Sequence, residues 1–213
     1  MQQDFSYKSQ FSQDSYLNEN IFRFQRNGVF VDIGAHDGIQ GSNTFFFEKE
    51  LGWTGLAVEP ILERYVDLVK NRSCVCMNCC VHNKNTTVDF TENSGYTEML
   101  SGISETYDPR HVQRLDLEKK IYGGESKTVK KQAYTLSKLL ELNDIYNIDY
   151  LSIDTEGNEK EILQGIDFSR FTIRVITVEN NYPDKFSEID DLLKANGFDH
   201  VTRLGGDEVY KLK

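Results

Sequence analysis

The stretch Phe30–Pro60, FVDIGAHDGIQGSNTFFFEKELGWTGLAVEP, arranges three carboxylates around a glycine loop. Asp32 precedes the loop, Asp37 lies inside it, and Glu59 closes the next apolar run, 25 residues after Gly34. Gly34 and Gly38 let the backbone turn sharply and come close to a ligand. A carboxylate at the end of the following strand suits the two hydroxyls of a ribose. A nicotinamide dinucleotide meets that description, and so does any other nucleoside cofactor. Charge separates them. No Lys or Arg occurs between Asp32 and Lys49, and carboxylates beside a pyrophosphate repel it in a partly dry site. The spacing Gly34-Ala35-His36-Asp37-Gly38 also departs from G-x-G-x-x-G. S-adenosylmethionine has no phosphate, and its ammonium and sulfonium both favour nearby carboxylates. The residues therefore point to a cationic nucleoside, with NAD as the alternative. The bland reading is that Asp32 and Asp37 are turn carboxylates.

A second group lies late in the chain. Asp154 ends one strand pattern in SIDTEG, and Glu179 and Asn180 end the next in VENN. If these strands are neighbours, their side chains converge at one sheet edge. Two kinds of chemistry fit. Asp154 or Glu156 could be a general base, assisted by His36 or His82. Alternatively, oxygens of Asp154, Glu179 and Asn180 could hold a hard divalent cation such as Mg or Mn. The structural alternative makes Asp154 the N-cap of a helix, with Gly157 at its start and Glu156 and Glu159 in its first turn, where they favour the helix dipole.

These residues need a scaffold, and the hydrophobic pattern supplies one. GVFVDI, GLAVE, CVCMN, IDYLSID and IRVITVEN read as buried strands alternating with helical patterns. Ser42–Leu51 is predicted helical with Ser42 as N-cap, and Ile61–Asn71, TLSKLLELNDIY, NEKEILQGI and KFSEIDDLLKANG are predicted helices. FDHVTRL and DEVYKLK close the chain as a hairpin turning at Gly205 and Gly206. The expectation is α/β: seven main strands, mostly parallel, with helices on both faces and an antiparallel last strand. Residues 93–131 form a long polar segment, a functional or disordered loop by its length. From Glu105 to Lys131 it carries seven basic and five acidic side chains on a chain of net charge −10. His111 there, beside Arg110 and Arg114, reads as part of a solvated face, although the trio could meet an anionic or hydroxyl-rich acceptor.

Composition sets outer bounds. A chain of 213 residues is long enough to bury one substantial core. The acidic balance lowers the expectation of nucleic-acid binding. Residues 1–20 lack the basic start and apolar core of a secretory signal, and no apolar run approaches a membrane span. A soluble, reducing, cytoplasmic setting is expected. The four cysteines crowd into CVCMNCC, a poor metal spacing and a better fit to small side chains on a buried strand.

The chain resembles the FkbM family of S-adenosylmethionine-dependent methyltransferases. The resemblance is carried by the Phe30–Pro60 stretch, YTLSKLL, IDYLSIDTEGNEKEILQGIDF and VITVENN in that order, with SQFSQDSYL as a lead-in. It implies the class I methyltransferase (Rossmann-like) fold, formed by residues 1–213 as one domain. Residues 1–28 would be the lead-in or lid and 93–131 an insertion on the acceptor side. It also implies methyl transfer to a hydroxyl oxygen, often on a sugar. Asp32, Gly34, Ala35, Asp37, Gly38, Asn43, Glu59 and Pro60 would then surround the cofactor, Cys80 and Val81 would flank its adenine, and Gln13 and Tyr16 would cover it. One departure is Thr155, where the family more often has a small apolar residue. A non-catalytic module that binds the cofactor without using it remains an alternative.

Overall fold

The computed structural model describes residues 5–213; the first four residues of the expected 1–28 lead-in lie outside them. In chain order the structure begins with α1 (Gln13–Tyr16), which continues as a π-helical stretch Leu17–Phe22. There follow β1 (Val29–Ile33), α2 (Phe45–Leu51), β2 (Thr54–Val58), α3 (Leu62–Asn71), β3 (Val75–Met77), β4 (Cys80–Val81) and β5 (Thr86–Asn93). Next come 3-10 turns Gly95–Leu100 and Ser104–Thr106 around β6 (Gly102–Ile103), then α4 (Pro109–Tyr122), β7 (Ser126–Tyr134), α5 (Leu136–Leu142) and β8 (Asn147–Ile153). The chain closes with α6 (Glu159–Gln164), β9 (Thr172–Glu179), α7 (Ser187–Ala195), β10 (Phe198–Leu204) and β11 (Asp207–Leu212).

Seven strands form the main sheet in the order β10-β11-β9-β8-β1-β2-β3. All are parallel except β11, which runs antiparallel to β9 and β10. Successive residues of a strand face opposite sides, so each strand feeds two cores. Val31, Ile33, Leu151 and Ile153 pack with Leu139, Leu140, Ile162 and Leu193 of α5, α6 and α7. Phe30, Tyr150 and Val175 pack on the other side with Leu17, Phe22, Phe46, Phe47 and Trp53. Helices therefore cover both faces, as the continuous apolar runs require.

The polar segment 93–131 is not an irregular loop. It holds α4 and contributes β6 and most of β7 to a second sheet, ordered β4-β7-β5-β6. β5 and β7 pair antiparallel, with Lys130 opposite Asp89 and Lys127 opposite Glu92. Their ammonium and carboxylate groups meet at 2.8 Å in both pairs. Cross-strand ion pairs of this kind stitch a strand that buries little apolar surface, which is why hydropathy concealed it. His111 likewise leaves the expected solvated face. It lies on the buried face of α4, 1% exposed.

Two smaller corrections concern the start of α2 and the cysteines around β3. α2 begins at Phe45, with Thr44 rather than Ser42 at its cap position. The Thr44 hydroxyl is committed to Asp32 at 2.5 Å, while Ser42 Oγ accepts the amides of Thr44 and Phe45. β3, which holds Cys76 and follows Cys74, is a sheet edge, and those two thiols are half-buried; Cys79 and Cys80 are buried, and all four are free.

Candidate functional site

Four strand ends open on one cavity of about 370 Å³ at the carboxyl edge of the main sheet. Gly34 follows β1, Glu59 follows β2, Asp154 follows β8 and Glu179 ends β9, and all four line it. Gly34 is held at φ +90°, and a Cβ there would lie 1.8 Å from the Asp154 carbonyl oxygen. Only glycine lets β1 and β8 close this edge.

Glu59 is 5% exposed. Its Oε2 accepts the His36 amide at 2.9 Å and its Oε1 accepts the Ile61 amide at 2.7 Å. Each oxygen keeps a free lone pair for a ligand hydroxyl. Burial pushes the carboxyl up to about 7, against the pull of those amides and of Lys131. Beside it, Ile61, Cys79, Cys80, Val81, Phe90 and Ile103 make an apolar wall, and Pro60 completes the rim.

The other sequence candidates separate into two groups. His36, Cys80, Val81 and Pro60 reach the cavity. Asp32, Ala35, Asp37, Gly38 and Asn43 are not among its lining residues. Asp32 binds Thr44 and lies 3.9 Å from the fully buried Arg72, whose guanidinium also holds Glu48 at 2.7 Å and the Gly38 carbonyl at 3.2 Å. Asp37 caps its own turn by accepting the amides of Ile39 and Gln40, both at 2.8 Å. Gly38 gives room to Leu68 and Arg72, and Asn43 donates to Ser152 at 3.0 Å. These residues brace the loop from behind. Gln13 and Tyr16 also stay outside. Gln13 donates to Asp207 at 2.7 Å, and its neighbours Gln10 and Phe11 line the cavity in its place.

At the opposite end Asp154, Glu156 and Glu179 place carboxylate oxygens within 4.8 Å of one another. Asn180 is not among the residues lining this cavity; its side-chain NH2 donates to Glu208 at 2.9 Å. The capping alternative for Asp154 also falls, because α6 starts at Glu159 behind an Asn158 cap. Glu159 instead ties the turn, accepting Thr155 and Gly157 amides at 3.1 and 3.0 Å. Glu156 sits in that turn at φ +60° and is half-buried. Burial, then the charges of its carboxylate neighbours, hold Asp154 and Glu179 well above the ordinary range. Burial raises Glu156 to about 7, opposed by Arg114.

Sequence reasoning named Arg110, His111 and Arg114 as a trio that could meet an acceptor but favoured a solvated loop face, and did not foresee helix α4. His111 Nε2 faces the Leu100 carbonyl at 3.1 Å, which can only accept, so that nitrogen carries the proton. Its Nδ1 then faces Glu156 Oε2 at 3.5 Å. Arg114 is the one Lys or Arg among the described residues that line the cavity. His82 lies elsewhere, between Asn83 and Glu105. The signal for α4 was a helix pattern broken by charge, and it did not reveal which face would be buried.

Six carboxylates line the cavity, Glu59, Glu98, Asp154, Glu156, Glu179 and Asp207, against Arg114. This donor set fits a cationic nucleoside and disfavours a pyrophosphate. Sheet order, crossover loop and acid-lined carboxyl edge together define a protein of the class I methyltransferase, Rossmann-like type. The chain belongs to the methyltransferase FkbM domain family, whose model matches residues 32–199. It is a methyltransferase of the S-adenosylmethionine-dependent class. Among solved structures, it resembles the precorrin-6y C5,15-methyltransferase of Geobacter metallireducens GS-15 at 11% identity, covering 97% of this chain and 91% of that one, with a TM-score of 0.48. It also resembles the Methanococcus jannaschii fibrillarin pre-rRNA processing protein at 12% identity, covering 94% and 76%, with a TM-score of 0.43. No curated protein matches the chain. Among the described residues, no helix is long and apolar enough to cross a membrane.

Proposed function

We propose that the protein is an O-methyltransferase acting on a hydroxyl of a sugar, in a glycan or a glycosylated product. The observation that carries this reading is the cavity, lined by the buried Glu59 carboxylate and by the three crowded carboxylates of Asp154, Glu156 and Glu179. S-adenosylmethionine, when bound, supplies an electrophilic methyl group. Glu59 binds the ribose hydroxyls, the wall at Cys79–Val81 holds the adenine, and the acid lining offsets the positive charge. Asp154 or Glu156 takes the proton of the acceptor hydroxyl while the other helps to orient it, since an alcohol is a weak nucleophile at neutral pH. Glu156, raised by burial to about 7, suits a base working near neutrality.

The acceptor class is inferred from the family resemblance and from a second cleft of about 510 Å³, bordered by Tyr107, Tyr182, Asn180 and several carboxylates. Glu179 and Asn181 border both spaces. Amides, carboxylates and tyrosines are a suitable lining for a polyhydroxyl ligand. The insertion 93–131 roofs the cavity within a single methyltransferase unit.

A second reading has Asp154, Glu156 and Glu179 share a divalent cation, which would acidify the hydroxyl directly. It is favoured by the closeness of their oxygens. Chelation followed by Mg or Mn restoration tests it: unchanged transfer after chelation removes the cation from the scheme.

The primary test pairs thermal shift with transfer. S-adenosylhomocysteine should stabilise the protein and NAD should not. Labelled methyl groups should pass to members of a glycan panel. Stabilisation by NAD alone would revive the oxidoreductase. Binding without transfer to any hydroxyl compound would favour the non-catalytic module.

A further inference from the structure

The insertion covers the nucleoside end of the cavity as well as the acceptor end. Its 3-10 turn brings Glu98, Met99 and Leu100 into the lining shared with Glu59, and Ser101 follows them. Within the insertion this roof is well tied. The Leu100 carbonyl accepts from Asn93 at 2.9 Å and from Tyr107 at 2.8 Å, and it also meets His111. Ser94 pairs with Glu125 through its amide and hydroxyl.

Across the cavity the attachment is narrow. Among the described residues, segment 94–101 reaches the main sheet's loops by hydrogen bond or ion pair through Glu98 alone. Glu98 Oε1 lies 3.2 Å from His36 Nε2 and 3.1 Å from Arg64 Nε. His36 stands between two carboxylates, since its amide donates to Glu59. One oxygen thus joins the roof to the glycine loop and to α3. Gly95, at φ +67°, gives the roof a pivot at its N-terminal end.

We propose that Glu98 is a cofactor-site residue that latches segment 95–101 over the nucleoside chamber, so that a bound nucleoside leaves only when the His36 and Arg64 contacts break. This rests on the cofactor assignment above. Arg64 separates latching from ligand contact, because it holds Glu98 but is not among the residues lining the cavity.

The test is a chase of radiolabelled S-adenosylhomocysteine from wild type, Glu98→Ala and Arg64→Ala, with melting curves confirming that each variant folds. Release should quicken about tenfold or more in Glu98→Ala and about threefold or more in Arg64→Ala. Wild-type release rates in both variants overturn the latch. Acceleration in Glu98→Ala alone makes Glu98 a simple ligand contact and also overturns it. Failure of the wild type to bind the probe would defeat the cofactor assignment and the latch together; binding with unchanged release would defeat the latch alone.

Discussion

Gly34 and the Asp154 carbonyl oxygen approach so closely that a methyl group on residue 34 would sit 1.8 Å from that oxygen. The contact joins the glycine loop to the strand end bearing the proposed base. Gly34→Ala must therefore push β1 and β8 apart while holding alanine at φ +90°. We expect a loss of stability on the order of 3 kcal/mol and of S-adenosylhomocysteine binding beyond detection. Calorimetry and thermal melting check both.

Glu59→Gln should weaken S-adenosylhomocysteine at least about tenfold, because one anionic acceptor for the ribose hydroxyls is lost. In the unliganded protein the folded carboxyl titrates at about 7 against an ordinary 4.5, so the folded state binds the proton more tightly. Stability from this group is present below the ordinary value and is lost as pH rises through about 7, by up to about 3 kcal/mol. The glutamine variant has no proton to lose there, although its NH2 leaves one of the two backbone amides without an acceptor. Its stability should therefore be flatter with pH than that of the wild type. Melting curves from pH 5 to 8 test this, and a variant as pH-dependent as wild type contradicts it.

Cofactor charge should register as protons. Glu156 near 7 and Asp207 near 6, together with Glu59, are partly protonated at neutral pH, chiefly through burial. A sulfonium nearby favours their ionised forms. S-adenosylmethionine should thus release more protons on binding than S-adenosylhomocysteine, which lacks that charge. Titrations at pH 6.5 in buffers of different ionisation enthalpy read the difference directly; equal release by both ligands argues against sulfonium placement among these acids.

Asp154→Asn should leave S-adenosylhomocysteine affinity within about threefold and slow methyl transfer by roughly 10²–10⁴. Single-turnover transfer to the acceptor found in the glycan screen measures it. Full activity in this variant would remove Asp154 from proton transfer.

Arg72→Met should cost about 3–5 kcal/mol without touching the cavity. It strips a fully buried guanidinium from Glu48, Asp32 and Thr44 and leaves uncompensated buried carboxylates. Denaturant unfolding gives the value, and a cost below about 1 kcal/mol would show that the network is dispensable.

Much of the fold was legible because it depends on period. Runs such as GVFVDI and GLAVE can be buried on two faces only inside a parallel sheet, and the double strand after Gly197 fixed the antiparallel end. The second sheet was illegible for a complementary reason. SKTVKKQAY gains from its partner mainly ion pairs to Asp89 and Glu92, and a charge opposite a distant charge leaves no trace in local hydropathy.

The candidate site divided along similar lines. Gly34, Glu59, Asp154 and Glu179 could be placed from sequence because each terminates an apolar run, and strand ends of an open sheet share one edge. Asp32 and Asp37 could not be distinguished from ligand contacts until Arg72 and the turn amides were seen to hold them. Glu98 gave no signal, and the Arg110–His111–Arg114 trio could be named but not placed, because nothing local tells a helix such as α4 which neighbour it will meet. The sequence by itself determined the sheet, its acid-bearing edge and the family, all consequences of short-range pattern. Only the tertiary structure decided which acids face the cavity and what roofs it, since burial and charge pairing are set by residues brought together from far along the chain.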